Sequence, residues 1–442
     1  MNQQFSPQQQ YPQQQQFSPQ QQQYPQQQPY YPQQQYIPQQ PPMYYPPAVN
    51  GNYPPPVSYV SYPPPPVTFV PVAQRSPEQV NQSLFQTHCS RVGLTLMADL
   101  GIMLGGEMLV MIVGMIAFLL LKDSYFPGVN QTEAMLNVTM LALAVVPCFS
   151  HFIPAAAHGH KWGIRPLDPF RGDRLNGGFI AAATATALGL NAMWGYVYYF
   201  ANNWLQDNTG VNLDSGSMDW LDESMTPVGF GLYIIAVCIV APVMEEYIFR
   251  GMLLRTLSQH GAGFGIVITA LLFGLMHGNL AQTPMAFLIG LILGYVGVKS
   301  GNIRQTICIH MINNTLASIP QAVQYFAPQY EDFVATVDFA KDVLCMLFAV
   351  AALIWFAVKR HKGIKARNWR LQVGSPVAVS PDELTWAKLE IPESRRIPQW
   401  NLVKHKIGLC LASGGMIFFW VSMLLLIVMS TLLPFLTAAL QF

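Results

Sequence analysis

The stretch Met244-Glu245-Glu246-Tyr247-Ile248-Phe249-Arg250-Gly251 decides how this chain is read, because it follows a run, Val228 to Val243, without a single charged side chain. Ionisable groups at membrane depth cost roughly 2.5–3.5 kcal/mol each at a helix centre unless paired or hydrated. Two adjacent carboxylates and an arginine at the end of an apolar helix therefore mark a functional site. Glu246 and Arg250 are spaced i,i+4 and share a helix face, so they can pair. Glu245 lies about 100° round the helix and has no partner within one turn.

The composition around this stretch agrees. Of 442 residues, 51% are hydrophobic and only 10% charged, with a net charge of +1. Soluble domains carry about 25% charged residues, so the deficit points to an all-α, polytopic transmembrane bundle in a lipid bilayer. No basic stripe is visible, which argues against nucleic-acid binding. The six cysteines are scattered without a CxxC pair and read as free thiols rather than a disulfide framework.

Residues 1–75 are dominated by Pro, Gln and Tyr, with too few aliphatic side chains to build a core. They read as a disordered cytoplasmic tail with no secretory leader, open to a role in binding protein partners. A polar stretch, Arg75 to Arg91, suggests a short amphipathic helix. Apolar segments of spanning length follow near 97–121, 134–157, 177–201, 228–248, 263–281, 284–300, 304–326, 341–358 and 406–435. That makes about nine spans, with eight as the alternative count. The membrane bundle covers 76–358 and holds its polar core at 228–326; 359–404 reads as a cytoplasmic polar insert and 405–442 as a terminal span.

Loop charges orient this arrangement. Lys161, Arg165, Arg171 and Arg174 lie in one connection, and Lys359, Arg360, Lys362, Lys365, Arg367 and Arg370 in another. The 202–227 connection has Asp207, Asp214, Asp219, Asp222 and Glu223 but neither lysine nor arginine. Nine spans with the amino terminus in the cytoplasm satisfy the positive-inside rule at all three. The chain is expected in the plasma membrane if its source is bacterial.

Two further polar features fall within apolar segments: Phe273-Gly274-Leu275-Met276-His277 and His310-Met311-Ile312-Asn313-Asn314. His310 and Asn314 are i,i+4 and share a face. Gly261 breaks the fourth and fifth helices into a hairpin, with Glu245 and His277 each 16 residues from it. At about 1.5 Å per residue both stand roughly 24 Å from the turn. One carboxylate, two histidines and an asparagine are thus expected to converge in a recess facing the cytoplasm.

Glu-Glu-x-x-x-Arg, Phe-x-x-x-His and His-x-x-x-Asn, in that order on successive helices, resemble the three motifs of the CPBP (CAAX-processing and bacteriocin-processing, or ABI) intramembrane proteases. The resemblance covers roughly 228–326. It implies a membrane-embedded endopeptidase acting on peptide or membrane-protein substrates of CAAX or leader-containing type. It further implies Glu245 as the base that activates a water, His277 as a ligand of that water, and His310 with Asn314 as oxyanion donors. Glu246, Arg250 and Phe273 would brace the site. The chemistry is compatible: a carboxylate in a partly dry recess is a better base than one in water. The residues leave a metal open, since His277 and His310 with a glutamate can hold zinc with a free fourth position. Two other functions also stay open, a catalytically silent binding or immunity scaffold and a proton-coupled transporter.

Overall fold

The computed structural model describes residues 77–125, 128–213, 225–364 and 406–440. The tail 1–75 and the greater part of the 359–404 insert lie outside the described residues. Everything described is helix, turn or irregular chain, and the protein is an all-helical integral membrane protein. Among the described residues, five helices are long and apolar enough to cross a bilayer: Phe85–Ser124, Gln131–Lys161, Pro227–Ser258, Thr283–Ser300 and Gly414–Leu432. Ala262–Met276 is apolar but shorter. The expected stretches 177–201, 304–326 and 341–358 are also helical, but they do not meet the same standard.

α1 (Pro77–Tyr125) is one unbroken helix of 49 residues. The expected amphipathic piece and first span are therefore continuous, because nothing between Arg91 and Met97 breaks a helix. α2 (Gln131–Ser150) opens on a capping box in which Asn130 accepts from the Glu133 N–H and Glu133 accepts from the Asn130 N–H. Pro147 lies in its last turn, and His151 joins it to α3 (Phe152–Lys161). α4 (Gly177–Thr209) is capped by Asn176.

The central rod is α5 (Pro227–Ser258), which starts on the Thr226 cap with Pro227 at its first position. α6 (Ala262–Met276), α7 (Thr283–Ser300) and α8 (Ile303–Phe326) follow through short connections. Gly261, at φ 129°, makes the sharp turn between α5 and α6 that a side chain would disfavour. α6 ends at Met276, five residues before the expected span does, so His277 caps the helix instead of lying inside it. α9 (Glu331–Ile364) and α10 (Gly414–Leu440) complete the set.

α6 packs along α7, α1 along α2 and α10, and α9 along α4. The largest buried cluster runs from Phe85 and Leu96 of α1 through Ile248, Phe249 and Leu253 of α5. It reaches Phe273 of α6 and Phe419 of α10. The polar residues of α5 are thus embedded among side chains from several helices.

α5 is not a regular helix. Two π-helical turns, Ala236–Val240 and Tyr247–Leu253, flank a short α-helical stretch, Ala241–Glu246. Pro242 explains the first. The Ala241 N–H reaches back to the Ala236 carbonyl, and Pro242 has no N–H for the next carbonyl, that of Val237. π turns rotate a helix face by an extra residue and recur at functional sites. Here they set the facing of Glu245 and Glu246.

Candidate active site

Glu246 is fully buried and held from two sides. Arg250 Nη1 donates to its Oε1 at 2.7 Å, and His310 Nδ1 lies 3.2 Å from the same oxygen. Arg250, with a side chain 1% exposed, also donates through Nη2 to the Gly290 carbonyl of α7 at 3.3 Å. The pair ties α5 to α7 and α8.

Glu245 is placed differently. Its side chain is 20% exposed, and His310 Nε2 stands 3.9 Å from Oε2, beyond hydrogen-bond distance. That oxygen is buried and has no hydrogen-bond partner. His310 therefore spans the two carboxylates, bonded to one and facing the other.

Phe273 fills the space beneath them. The Arg250 guanidinium sits 4.3 Å above its ring, a cation–π contact. His277 and His310 both meet that ring edge-on, at centroid distances of 5.1 and 5.8 Å. Phe249 packs on it at 5.1 Å. His277 Nδ1–H donates to the Phe273 carbonyl at 2.9 Å, leaving Nε2 as its outward nitrogen. Among the described residues no hydrogen bond or ion pair joins His277 to Glu245; the two are connected through Phe273 and His310.

Asn314 makes a contact that spacing does not foretell. Its Nδ2 donates at 2.9 Å to the Val237 carbonyl, the one left without a donor by Pro242. Its Oδ1 accepts from Asn313 at 3.2 Å. The buried hydroxyls of Thr269 and Thr306 bond carbonyls within their own helices, as packing residues do, whereas Cys308 is exposed.

Residues 227–316 match the family model for the type II CAAX prenyl endopeptidases, Rce1-like. This stretch of the chain is Rce1-like. The match holds Glu245, Glu246, Arg250, Phe273, His277, His310 and Asn314 and none of α1 to α4. An uncharacterised 24.3 kDa protein of Escherichia coli is 33% identical over 91 residues, covering 19% of this chain and 42% of the relative. The membrane-embedded CAAX protease MroQ of Staphylococcus aureus (strain USA300) is 30% identical over 97 residues, covering 20% and 39%. The chain thus spans about two fifths of the length of the curated relatives it matches. No solved structure matches.

The donor set of the Rce1-like segment does not fit a resident zinc ion, which takes three protein ligands in a catalytic site. His310 Nδ1 is engaged by Glu246 and His277 Nδ1 by a backbone carbonyl, which leaves each Nε2 open as metal-bound histidines do, but two such nitrogens fall short of three ligands. No three His, Cys, Asp or Glu side chains among the described residues gather as a metal-holding group.

Outside the matched segment lie polar residues that the sequence did not single out. Asp99 of α1 pairs with His151 at 2.7 Å, with exposures of 0% and 7%. His88 Nδ1 and His260 Nε2 are 2.9 Å apart, and His158 bridges Thr95 and Thr256 at 2.9 Å each. An aspartate in an apolar helix was the available signal for the first. The histidines come from separate segments, and no short motif links them.

Proposed function

We propose that the protein is an intramembrane endopeptidase in which Glu245 activates the water that attacks a peptide bond. The observation that carries this reading is the asymmetry of the two glutamates. Each has a buried Oε2 without a hydrogen-bond partner, but Glu246 is 0% exposed with its Oε1 held by Arg250 and His310, while Glu245 is 20% exposed and makes no hydrogen bond. A general base needs a lone pair within reach of a water and no cation bonded to its carboxylate, and of the two glutamates Glu245 meets both conditions.

The steps follow from the groups around it. Glu245 takes a proton as the water oxygen adds to the scissile carbonyl, and it returns that proton to the departing amide nitrogen. His277 Nε2, free because Nδ1–H is committed, accepts a hydrogen bond from the water. His310 donates its Nδ1–H to Glu246; in its doubly protonated form it also offers Nε2–H to the developing oxyanion. One preorganised oxyanion donor is worth about 3–4 kcal/mol in well-studied hydrolases. Asn314 adds its second amide N–H, the first being spent on Val237.

The family model, described as a CAAX prenyl endopeptidase, suggests the substrate class, membrane-associated peptides ending in a prenylated CAAX sequence. The nine-span arrangement, with the amino terminus and the site's open side in the cytoplasm, is part of the same proposal. The test uses purified full-length protein in detergent with a quenched peptide ending in a farnesylated CAAX sequence and its unprenylated twin. Wild type should cleave and Glu245→Gln should not. Cleavage that survives Glu245→Gln sinks the assignment, and no cleavage by wild type favours the silent scaffold.

A further inference from the structure

Asp99 and His151 form a buried couple that the Rce1-like segment does not contain. Asp99 belongs to α1, and His151 is the joint between α2 and α3. Their 2.7 Å contact is short, as charge-assisted bonds are. It commits His151 Nδ1–H to Asp99 Oδ1, with Ser150 Oγ also 3.4 Å from that nitrogen. Asp99 Oδ2 is buried with no partner. Leaving such an oxygen unsatisfied costs about 1–3 kcal/mol or more, a cost that needs a reason.

The location supplies one. α2 packs against the 241–246 stretch of α5, and α3 packs against 247–253. The residue after His151, Phe152, stacks on Tyr247 with ring centroids 5.5 Å apart. The joint therefore stands level with Glu245, and Glu245 lies within Coulombic range of both Asp99 and His151. The other charged or titratable groups around Glu245 are Glu246 and Arg250 of its own helix and His310 of α8.

We propose that Asp99 and His151 are a positioning pair for Glu245. Asp99 fixes the tautomer of His151 so that Nε2 keeps its lone pair toward Glu245. There Nε2 accepts a hydrogen bond from the carboxylic acid form of Glu245, directly or through one water. The inference rests on the reading of Glu245 as the base. In the cycle the proton moves from water to Glu245 and then to the amide nitrogen as the C–N bond breaks. His151 neither gains nor loses one. Its task is to hold the acid form in place between the two transfers.

Two substitutions separate this from simple packing. His151→Asn keeps an N–H for Asp99 but removes the second ring nitrogen. Asp99→Asn keeps the shape but lets an amide donate to Nδ1, which places the proton on Nε2. Outer partners of catalytic groups are worth about 10–100-fold. Each variant should therefore lose about 10–100-fold in kcat on the farnesylated peptide, with KM within about twofold, in protein that is still folded at the assay temperature. Asp99→Glu, which restores the carboxylate, should recover part of the loss. A folded His151→Asn protein with kcat within about twofold of wild type overturns the proposal. So does a His151→Asn protein that fails to fold, since the ring would then be packing only. Wild-type cleavage abolished by Glu245→Gln keeps the underlying reading intact in either case; absence of wild-type cleavage overturns both.

Discussion

Arg250 and Glu246 form an ion pair at 2.7 Å with side chains 1% and 0% exposed, and the further hydrogen bonds of the pair, to Gly290 and His310, cross to other helices. Removing one member of a buried pair strands the other, at a cost of about 3–5 kcal/mol. Arg250→Met and Glu246→Gln should each lower the melting temperature in detergent sharply. The double variant should cost less than the sum, because no charge is left uncompensated. Additive losses would show that the two residues do not act as a pair.

Glu245 should behave in the opposite way. It lacks a bonded partner, so Glu245→Gln breaks no pair and should lower stability by less than about 1 kcal/mol, well below the cost at Glu246. The same change should remove the general base, worth about 10²–10⁴ in rate. Calorimetry and turnover on one preparation separate the two glutamates, and a large stability loss at Glu245 would contradict the assignment.

The contrast between these residues was legible in the sequence because it follows from i,i+4 spacing within one helix. So were the helical class and the hairpin at Gly261, which rest on local signals. The end of α6 at Met276 was not, since the chain beyond it carries no Asp, Glu, Lys or Arg until Lys299. Nor was the Asp99–His151 pair, whose members are 52 residues apart on different helices. The π turns of α5 depend on how Pro242 is accommodated, and spacing says nothing about that.

Acid should destabilise the turn between α5 and α6. His260 is held neutral, its pKa lowered to about 3 by burial first and then by His88 and Lys406. The unfolded chain binds a proton there below about 6.5, while the folded chain does not until about 3. Stability is therefore complete above about pH 6.5 and falls as pH drops toward 3, by up to about 1.4 kcal/mol per pH unit. Melting temperature against pH should show this slope, and His260→Gln should lessen it. An equal slope in the variant would place the titration elsewhere.

Where α1 crosses α10, backbones touch. A Cβ on Gly415 would collide with the Ser90 carbonyl, and one on Gly93 with the Gly415 backbone. The Gly415 N–H also donates to Ser90 Oγ at 2.9 Å. Gly93→Ala or Gly415→Ala should force the helices apart at about 1–3 kcal/mol, the usual range for overpacking. A proteolytic assay of the terminal span in the membrane reads the loss, and unchanged protection would mean that α10 is not seated on α1.

Asn314 carries two jobs that one double variant can part. Its bond to the Val237 carbonyl exists because Pro242 provides no N–H to that oxygen. Asn314→Ala strands a helix carbonyl, which costs about 1–3 kcal/mol, and it also removes the proposed oxyanion donor. Pro242→Ala returns an N–H to α5, so in that background the Asn314 amide is no longer needed for the fold. The double variant Pro242→Ala, Asn314→Ala should thus regain most of the lost stability while remaining about 10²–10³ slower than wild type, the cost of a missing oxyanion donor. Recovery of both stability and rate would make Asn314 a helix clamp alone, and His310 would then be left as the sole proposed donor to the oxyanion.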